Sequence, residues 1–353
     1  MPALTAPPAR CAVIGAGISG AAFARHARAA GLSVTLFDKG RSPGGRLSTR
    51  EAGGALFDIG SPWVDTRAGA WREALLSLPG MEGVALTSSA QWRVGGPGAP
   101  AAFRERGAWA PAGGMRALVA SALEGVHLLS SKKVEHLERE ADEWWLMGEG
   151  YENRERAWGP FDWVVLAIPG PQAARLLFAH APEWGRAALK ARYEPQWAAC
   201  VVFERPLSVD FDIYLGGAGE ALAVCKRGEL LAASAEGDSE ARRGDPWVLQ
   251  STPAWAQSRL ELPKEMVAEM LLAEWERAVG PLPPRLLTQG HRWRYARVSA
   301  PAAAPLAPAS LPLLDPELRL GVCGDWRSGP SAGEAYLGGV ALARLLAEHL
   351  KGA

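Results

Sequence analysis

Three glycines and one carboxylate near the N-terminus form the strongest chemical pattern in the sequence. Gly15, Gly17 and Gly20 directly follow an apolar segment at residues 11–14 and precede a helix-forming stretch. The first glycine permits a tight turn, the second lets backbone approach a pyrophosphate, and the third lets helix and strand pack closely. Asp38 ends the next apolar segment, where a carboxylate can accept hydrogen bonds from both hydroxyls of an adenosine ribose. The pattern predicts a dinucleotide site and leaves NAD and FAD as alternatives.

Two further features favour FAD. Arg46 follows a pair of glycines soon after Asp38, so it can bring a cation to a pyrophosphate, although it could also be a surface charge. Far along the chain, Asp325 follows another apolar segment and precedes a helix, and its carboxylate can bind ribityl hydroxyls. The start of that helix, near Glu334 and Ala335, can face the pyrimidine edge of a flavin, where reduced flavin carries negative charge. An NAD domain has no use for this second, distant segment.

The apolar periodicity predicts the elements that position these residues. We expect a strand at 11–14, a helix over 21–30 stopped by Gly31, and a strand at 33–37. A buried strand within 161–168 and a helix through 177 follow later. Residues 190–300 predict short strands around one helix at 264–279, and 301–312 predict a stiff Ala- and Pro-rich crossing. The chain then returns to a strand at 318–323 and a helix over 332–350.

These elements predict an α/β fold with a Rossmann-like FAD-binding domain and an interleaved α+β substrate domain built on an antiparallel sheet. We expect the FAD-binding domain to comprise residues 1–70, 100–172 and 316–353. The substrate domain would comprise residues 71–99 and 173–315. The length of 353 residues suits two domains.

Composition narrows the class of partner. Lys plus Arg and Asp plus Glu both number 38, which gives no basic footprint for nucleic acid or an anionic membrane. No apolar run approaches the ~18 residues of a membrane span, and the N-terminus lacks the pattern of a signal peptide. The four cysteines lack metal-ligand spacing, so we expect reduced core thiols and no metal site. We therefore predict a cytoplasmic protein that acts on a small molecule.

Several segments resemble the renalase-like branch of the flavin amine-oxidase superfamily. The N-terminal segment RCAVIGAGISGAAFARHARAAGLSVTLFDKGRSPGGRLSTR and the late segment CGDWRSGPSAGEAYLGG resemble the superfamily most specifically. Between them, FDIGSPWV, RGAWAPAGGMRALVASAL, VVLAIPGPQAARLL, WVLQSTPAWAQSRLE and HRWRYAR are similar to blocks of the renalase branch, in the same order. The resemblance spans nearly the whole chain.

The resemblance implies a non-covalent FAD and a set of residues around it. The expected cofactor residues are Gly15, Ala16, Gly17, Ile18, Ser19, Gly20, Asp38, Lys39, Gly45, Arg46, Gly60, Ser61, Val134, Ala167, Gly324, Asp325, Glu334 and Ala335. It also implies oxidation of the 2- or 6-dihydro isomers of nicotinamide dinucleotides, with electrons passed to O₂ to give NAD(P)⁺ and H₂O₂. A dihydropyridine is a strong hydride donor, so such a site need only stack it over the flavin at the right distance.

The sequence departs from the branch at the expected substrate side. Pro62 and Trp63 replace a Gln-aromatic pair, which removes an amide expected near the substrate, and the residues after Trp326 also differ. The expected substrate residues, which are aromatic side chains able to wall a planar ring and one histidine, are Trp63, Tyr193, His291, Trp293 and Tyr336. His291 could orient a polar group or act as a base. Each of these side chains could instead belong to the core.

Three functions follow from this sequence. The first is a renalase-like oxidase, for which Arg292, Arg294 and Arg297 could bind substrate phosphates or form a solvated strand face. The second is an amine oxidase or desaturase-type flavoenzyme. The third is a non-catalytic binding protein on the same fold, like the Rab GDI-like chaperones. The intact glycine triplet and the retained Asp325 make the third the least favoured.

Overall fold

A computed structural model of the chain describes residues 7–67, 69–81, 92–99, 107–148, 157–231, 244–300 and 312–352. It opens with the predicted strand–turn–helix–strand unit: β1 (Arg10–Ile14), α1 (Ile18–Ala29) and β2 (Ser33–Phe37). The strand predicted at 33–37 is confirmed. Helix α1 begins earlier than predicted, because its first turn is formed by the glycine motif itself. Gly31 has a φ of +95°, a left-handed conformation that ends the helix as expected.

The rest of the described chain contains runs of strands separated by helices and ends with a long helix. The remaining strands are β3 (Thr49–Ala52), β4 (Ala55–Asp58), β5 (Val64–Asp65), β6 (Val94–Gly95), β7 (Ala108–Trp109), β8 (His127–Leu129), β9 (Val134–Glu140), β10 (Glu143–Gly148), β11 (Ala157–Phe161), β12 (Trp163–Leu166), β13 (Arg192–Phe203), β14 (Ile213–Leu215), β15 (Leu222–Arg227), β16 (Glu229–Leu230), β17 (Asp245–Ser251), β18 (Arg285–Ala300), β19 (Leu313–Asp315) and β20 (Leu320–Val322). The remaining helices are α2 (Gly69–Leu76), α3 (Arg116–Ala122), α4 (Gly170–Leu177), α5 (Pro182–Lys190), α6 (Pro253–Gln257), α7 (Lys264–Val279), α8 (Asp325–Ser328) and α9 (Ala332–Gly352). The predicted helix at 264–279 is confirmed.

One six-stranded sheet, which we call the Rossmann sheet, brings the two ends of the chain together. Its strand order is β19-β20-β12-β1-β2-β8, and every pairing is parallel except that of β19 with β20. Strand β20 comes from near the end of the sequence and is separated from β1 by strand β12. Helix α9 packs on α1, and Gly339 permits the close approach, because an added Cβ there would lie 2.2 Å from Ser19 O.

A second six-stranded sheet, the substrate-side sheet, has the order β18-β13-β17-β15-β14-β6. Its strands pair antiparallel except β14 with β6. Two of its strands are much longer than the short strands predicted for 190–300, because β13 and β18 remain paired through several register shifts. Helix α7 covers one face through the buried Trp197, Trp247 and Trp275. The other face packs on β4.

The hydrophobic cores cross the predicted domain boundaries. Trp71, assigned to the substrate domain from sequence, packs in the same core as α1 and α9. Ala174 and Ala188, on α4 and α5, share a core with Val164 of the Rossmann sheet. The side chains of these helices therefore belong with the Rossmann sheet, although they lie within the stretch predicted as substrate domain. The predicted crossing at 301–312 falls almost wholly outside the described residues.

The described residues also bear on membranes and metals. Across the described ranges, no helix combines the length and apolar character that a bilayer span requires. The same ranges hold no cluster of three or more His, Cys, Asp or Glu side chains able to ligate a metal ion. All four cysteines are buried free thiols.

Candidate functional site

The three motif glycines differ in what surrounds them. Gly15 has a φ of +111°, and an added Cβ would lie 2.6 Å from Ala167 O. A Cβ at Gly20 would lie 2.0 Å from Gly15 O. At Gly17, by contrast, a Cβ would meet no heavy atom within 4 Å. The first and third glycines are therefore required by packing, while the middle one borders open space at the start of α1, where unpaired N–H groups favour a phosphate.

Asp38 lies beside this turn at the end of β2. Its carboxylate accepts hydrogen bonds from Ala16 N at 2.7 Å and from Gly40 N at 2.6 Å. The neighbouring Lys39 is exposed and contacts Gln172 at 3.4 Å. The carboxylate of Asp38 thus lies at the glycine turn, at the position predicted for a ribose contact.

A second glycine segment packs against the first. Gly44 pairs with Gly17 in an isolated bridge, and Gly44 N donates to Ala16 O at 2.9 Å. A Cβ at Gly45 would lie 3.2 Å from Gly17 Cα, so the two turns are in direct contact. The backbone of Arg46, in the 3₁₀ turn Gly45–Leu47, therefore lies next to the open space over Gly17.

Asp325 meets Arg46 from the far end of the chain. Its buried carboxylate, 3% exposed, forms an ion pair with Arg46 and accepts a hydrogen bond from Tyr193 Oη at 3.0 Å. Gly170 N in turn donates to Tyr193 Oη at 3.1 Å. Burial, and then the charge of Asp325, raise the pKa of the Tyr193 phenol, so it stays protonated at all physiological pH values. The structure thus joins residues 46, 193 and 325, which the sequence separates widely.

The residues predicted around the start of α9 and at two further strands occupy different environments. The Glu334 carboxylate accepts hydrogen bonds from the backbone N and hydroxyl of Ser331, so it caps α9. Ala335 is buried in the core between α1 and α9. Ala167 N donates to Ile14 O at 2.8 Å, next to the glycine turn. Val134 packs against the core under the Rossmann sheet.

Residues 59–63, which we call the clamped turn, connect the substrate-side sheet with Arg46. Ser61 N donates to Arg46 O at 2.8 Å, and a Cβ at Gly60 would lie 2.0 Å from the same oxygen. Three side chains from different strands of the substrate-side sheet donate to carbonyl oxygens of this turn. The bonds run from Trp293 Nε1 to Ile59 O at 2.7 Å, from Gln250 Nε2 to Gly60 O, and from Lys226 Nζ to Pro62 O at 2.9 Å.

Sequence reasoning missed Gln250 and Lys226. Lys226 also forms a buried ion pair with Asp58, with 2.9 Å between Nζ and Oδ2. Gln250 is 2% exposed and directly follows the apolar residues Val248 and Leu249 in strand β17. A buried amide needs a hydrogen-bond partner, and that requirement was the available signal. The partner itself could not be read from the sequence.

Apart from Tyr193, which bonds Asp325, the predicted aromatic residues lie in three places. Trp63 lies 6.3 Å from Trp92, centroid to centroid, against an apolar cluster on the substrate-side sheet. Trp293 lies 4.5 Å from His291 on the same face of β18. Tyr336 is not brought to either group, since it is buried under α1 and packs on Trp71 at 5.3 Å. Tyr336 is therefore a core residue of α9.

His291 is held neutral beside an arginine. Burial, and then the positive charges of Arg50 and Lys264, lower the pKa of His291 to about 4. Arg50 Nη2 lies 3.0 Å from His291 Nδ1. Because a guanidinium can only donate, Nδ1 must accept, and the ring proton is assigned to Nε2. His291 therefore presents a donor and is a poor base near neutral pH.

The arginines predicted around HRWRYAR lie on the surface. Arg292 and Arg294 both pair with Glu261, at 3.1 and 2.7 Å. Arg297 faces Glu194 at 3.7 Å. Arg292 and Arg294 alternate with His291 and Trp293 along β18, so they belong to the opposite face of the strand. These two form the solvated strand face that was one of the two sequence interpretations.

The residues present fit a dinucleotide with a flavin. The open space over Gly17 borders the start of α1, Arg46 supplies a cation beside it, and Asp38 supplies an acceptor for ribose hydroxyls. Asp325 pairs with the Arg46 side chain, and the Arg46 carbonyl oxygen accepts a hydrogen bond from Ser61 of the clamped turn. The donor set therefore includes groups suited to a diphosphate and to polyol hydroxyls.

Comparisons with known proteins agree with this geometry. Residues 13–77 match an NAD(P)-binding Rossmann-like domain, and residues 99–347 match the family of flavin-containing amine oxidoreductases. Cyclohexylamine oxidase from Brevibacterium oxydans has a similar fold, with 15% identity, a TM-score of 0.66, and coverage of 98% of this chain and 100% of that chain. An oxidoreductase from Methanosarcina mazei has 14% identity, a TM-score of 0.62, and coverage of 95% and 100%. A putrescine oxidase solved with putrescine has 16% identity, a TM-score of 0.59, and coverage of 98% and 100%.

The match to the flavin-containing amine oxidoreductase family covers most of the chain. The glycine turn, Arg46 and Asp325 lie close together in the structure. The chain belongs to the flavin-containing amine oxidoreductase family and is an FAD-dependent oxidoreductase.

Proposed function

We propose that FAD binds along the line that runs from Asp38 over Gly17 to Arg46 and Asp325. Asp38 would accept the ribose hydroxyls, while the α1 N-terminus and Arg46 would hold the pyrophosphate. Asp325 would accept ribityl hydroxyls, which places the flavin ring toward the clamped turn and the substrate-side sheet. The contact of Gly45 with the glycine turn and the ion pair of Arg46 with Asp325 support this path.

We further propose that the protein oxidises a dihydronicotinamide dinucleotide isomer, as the renalase resemblance implies. The substrate loses a hydride and becomes NAD(P)⁺. The hydride, equivalent to two electrons and one proton, and a second proton from solvent together reduce O₂ to H₂O₂. Bound FAD supplies the hydride acceptor and passes the electrons on to O₂. The protein's own contribution is to stack and orient the dihydropyridine.

The observation that carries this proposal is the charge balance next to the clamped turn. The two buried carboxylates each have a cation, because Asp58 pairs with Lys226 and Asp325 with Arg46. Arg50, by contrast, has no ion pair with any described carboxylate and donates to a neutral His291. A positively charged amine would gain little here, whereas a substrate with phosphates would gain from Arg50.

The neutral state of His291 adds to this argument. Its Nε2–H can donate to a polar group on a substrate, and its pKa of about 4 leaves it unable to take a proton efficiently near neutral pH. Hydride loss from a dihydropyridine needs no base. Oxidation of an amine requires its neutral form, and His291 is poorly suited to take a proton from an ammonium group near neutral pH.

An amine is the second candidate substrate. The tilted pair of Trp63 and Trp92, 6.3 Å apart, offers the apolar aromatic wall that an amine oxidase needs. The similar structures include proteins named for cyclohexylamine and putrescine, which supports the same alternative.

Anaerobic reduction of the purified flavoprotein tests the two candidates. We expect borohydride-generated dihydronicotinamide dinucleotide isomers to bleach the visible flavin spectrum rapidly, and H₂O₂ to form when air is admitted. Bleaching by simple amines alone would overturn the nicotinamide proposal in favour of the second candidate. A protein that cannot be reconstituted with FAD would contradict the cofactor path itself.

A matched pair of variants tests the role of Arg50. Arg50→Gln should weaken the reaction with dinucleotide isomers, which carry phosphates, and leave the reaction with the corresponding riboside isomers unchanged. Arg292→Gln, on the opposite face of β18 and paired with Glu261, should change neither reaction. Equal loss with both substrates in Arg50→Gln would mean that Arg50 does not bind phosphate.

A further inference from the structure

The substrate-side sheet reaches the proposed cofactor path through one buried amide. Gln250 Nε2 donates to Gly60 O, and Ile59 O lies 3.4 Å from the same nitrogen. Gln250 is 2% exposed and occupies the centre of the sheet, since β17 pairs with β13 on one side and β15 on the other. Lys226, on the neighbouring strand β15, and Trp293, on β18 beyond β13, bond the same turn.

The clamped turn passes this constraint to Arg46. Ser61 N donates to Arg46 O at 2.8 Å, and Gly60 lies so close to that oxygen that a Cβ would approach it to 2.0 Å. The Gly60 peptide is therefore fixed by Gln250 on one side and by Arg46 on the other. A shift of the turn would move the Arg46 backbone, and with it the guanidinium that pairs with Asp325.

We propose that Gln250 is a positioning residue for FAD binding, which sets the place of Arg46 through the clamped turn. The proposal rests on the cofactor path given above and is independent of which substrate is oxidised. It also accounts for an amide that is almost fully buried beside the apolar residues Val248 and Leu249 of β17.

FAD binding to the apoprotein provides the test, with Gln250→Leu as the variant and Gln196→Leu as its matched control. Gln196 is on the adjacent strand β13 and donates to Ser251 O within the same sheet, at 3.2 Å. We expect Gln250→Leu to raise the FAD dissociation constant about fivefold to tenfold and to change the visible circular dichroism of the bound flavin. Gln196→Leu should leave both unchanged.

A purely structural role for Gln250 has a different signature. The midpoint of thermal unfolding of the Gln250→Leu apoprotein would then fall, while its FAD affinity and flavin spectrum stayed at wild-type values. That result would overturn the proposal, as would an equal loss of FAD affinity in Gln196→Leu.

Gln250→Glu provides a second variant in case Gln250→Leu does not fold. A buried carboxyl facing carbonyl oxygens has a raised pKa, and only its protonated form can donate to Gly60 O. We expect its FAD affinity to approach that of the wild type at low pH and to fall as pH rises. A pH-independent affinity equal to that of the wild type would contradict the proposal. If the wild-type protein binds FAD but its flavin is not reduced by dihydronicotinamide isomers, that result contradicts only the proposed substrate.

Discussion

Gly17 and Gly20 belong to the same motif but face different surroundings. An added methyl at Gly20 would press on the Gly15 carbonyl, whereas one at Gly17 would project into open space. The backbone at Gly17, with φ of −81° and ψ of 179°, is also one that alanine adopts easily. The two positions therefore separate folding from cofactor binding.

We expect Gly17→Ala to leave the apoprotein as stable as the wild type and to weaken FAD binding, because the methyl would occupy space proposed for the pyrophosphate. Gly20→Ala should destabilise the apoprotein by about 1–3 kcal/mol through overpacking. Thermal unfolding of the apoproteins and FAD titration measure the two effects. Loss of apoprotein stability in Gly17→Ala would contradict this division.

His291 gives the chain a defined response to acid. Its pKa is lowered from 6.5 to about 4 in the folded protein, so the unfolded chain binds its proton first as pH falls. The stability from the neutral ring is therefore complete above about pH 6.5 and is lost progressively toward pH 4. Denaturant unfolding of wild type and His291→Gln across this range should show a smaller acid-induced loss in the variant. Parallel curves would contradict the lowered pKa.

Tyr336 shows where single residues cannot be assigned from sequence. Its position on α9, near the proposed flavin, made it a candidate for the substrate site. The helix turns its ring toward Trp71 and His26 instead, since the face that meets α1 must be filled. The side that a helical residue faces depends on which neighbour the helix packs against, and that neighbour lies some 300 residues away in the chain.

At the scale of elements, α9 carries a capping box at its start. Ser331 Oγ accepts a hydrogen bond from Glu334 N at 3.1 Å, and the Glu334 carboxylate accepts one from Ser331 N at 2.9 Å. We expect Ser331→Ala to cost about 1 kcal/mol of folding free energy. The control is Ser299→Ala, at an exposed serine with a single 3.4 Å contact. Equal unfolding midpoints for the two variants would show that the cap contributes nothing.

Elements with strong local signals were predicted well. The strand at 33–37, the helix at 264–279 and the return to the Rossmann sheet near 320 follow from periodicity and from Gly31, all of which are local features. The long pairing of β13 with β18 was not predicted, because several register shifts interrupt its alternation. The bonds of Gln250 and Lys226 to the clamped turn were also missed, since they depend on how two distant sheets face each other.

At the scale of the whole molecule, a buried ion pair joins the substrate-side sheet to the three-stranded sheet that contains β4. Lys226 on β15 and Asp58 on β4 are 14% and 8% exposed, and Asp58 also accepts bonds from Thr49 and Met115. Removing the lysine alone would leave a buried carboxylate with no counter-charge. The pair therefore contributes to how firmly β4 is held to the substrate-side sheet.

We expect Lys226→Met to destabilise the protein by about 3–5 kcal/mol, and the double variant with Asp58→Asn to recover part of that loss. Lys190→Met, at an exposed lysine, should have little effect. Urea unfolding of the four proteins measures the differences. A double variant less stable than Lys226→Met would contradict this account.

The order of strands in the Rossmann sheet has a consequence for synthesis of the protein. Strand β1 and helix α1 leave the ribosome early, but β20 and α9, which complete the sheet and cover α1, are made some 300 residues later. A growing chain must therefore carry an uncovered apolar helix for most of its translation, a state that invites chaperone binding. Nascent chains stalled before residue 332 should be cut readily by protease within α1, whereas the released full-length chain should resist.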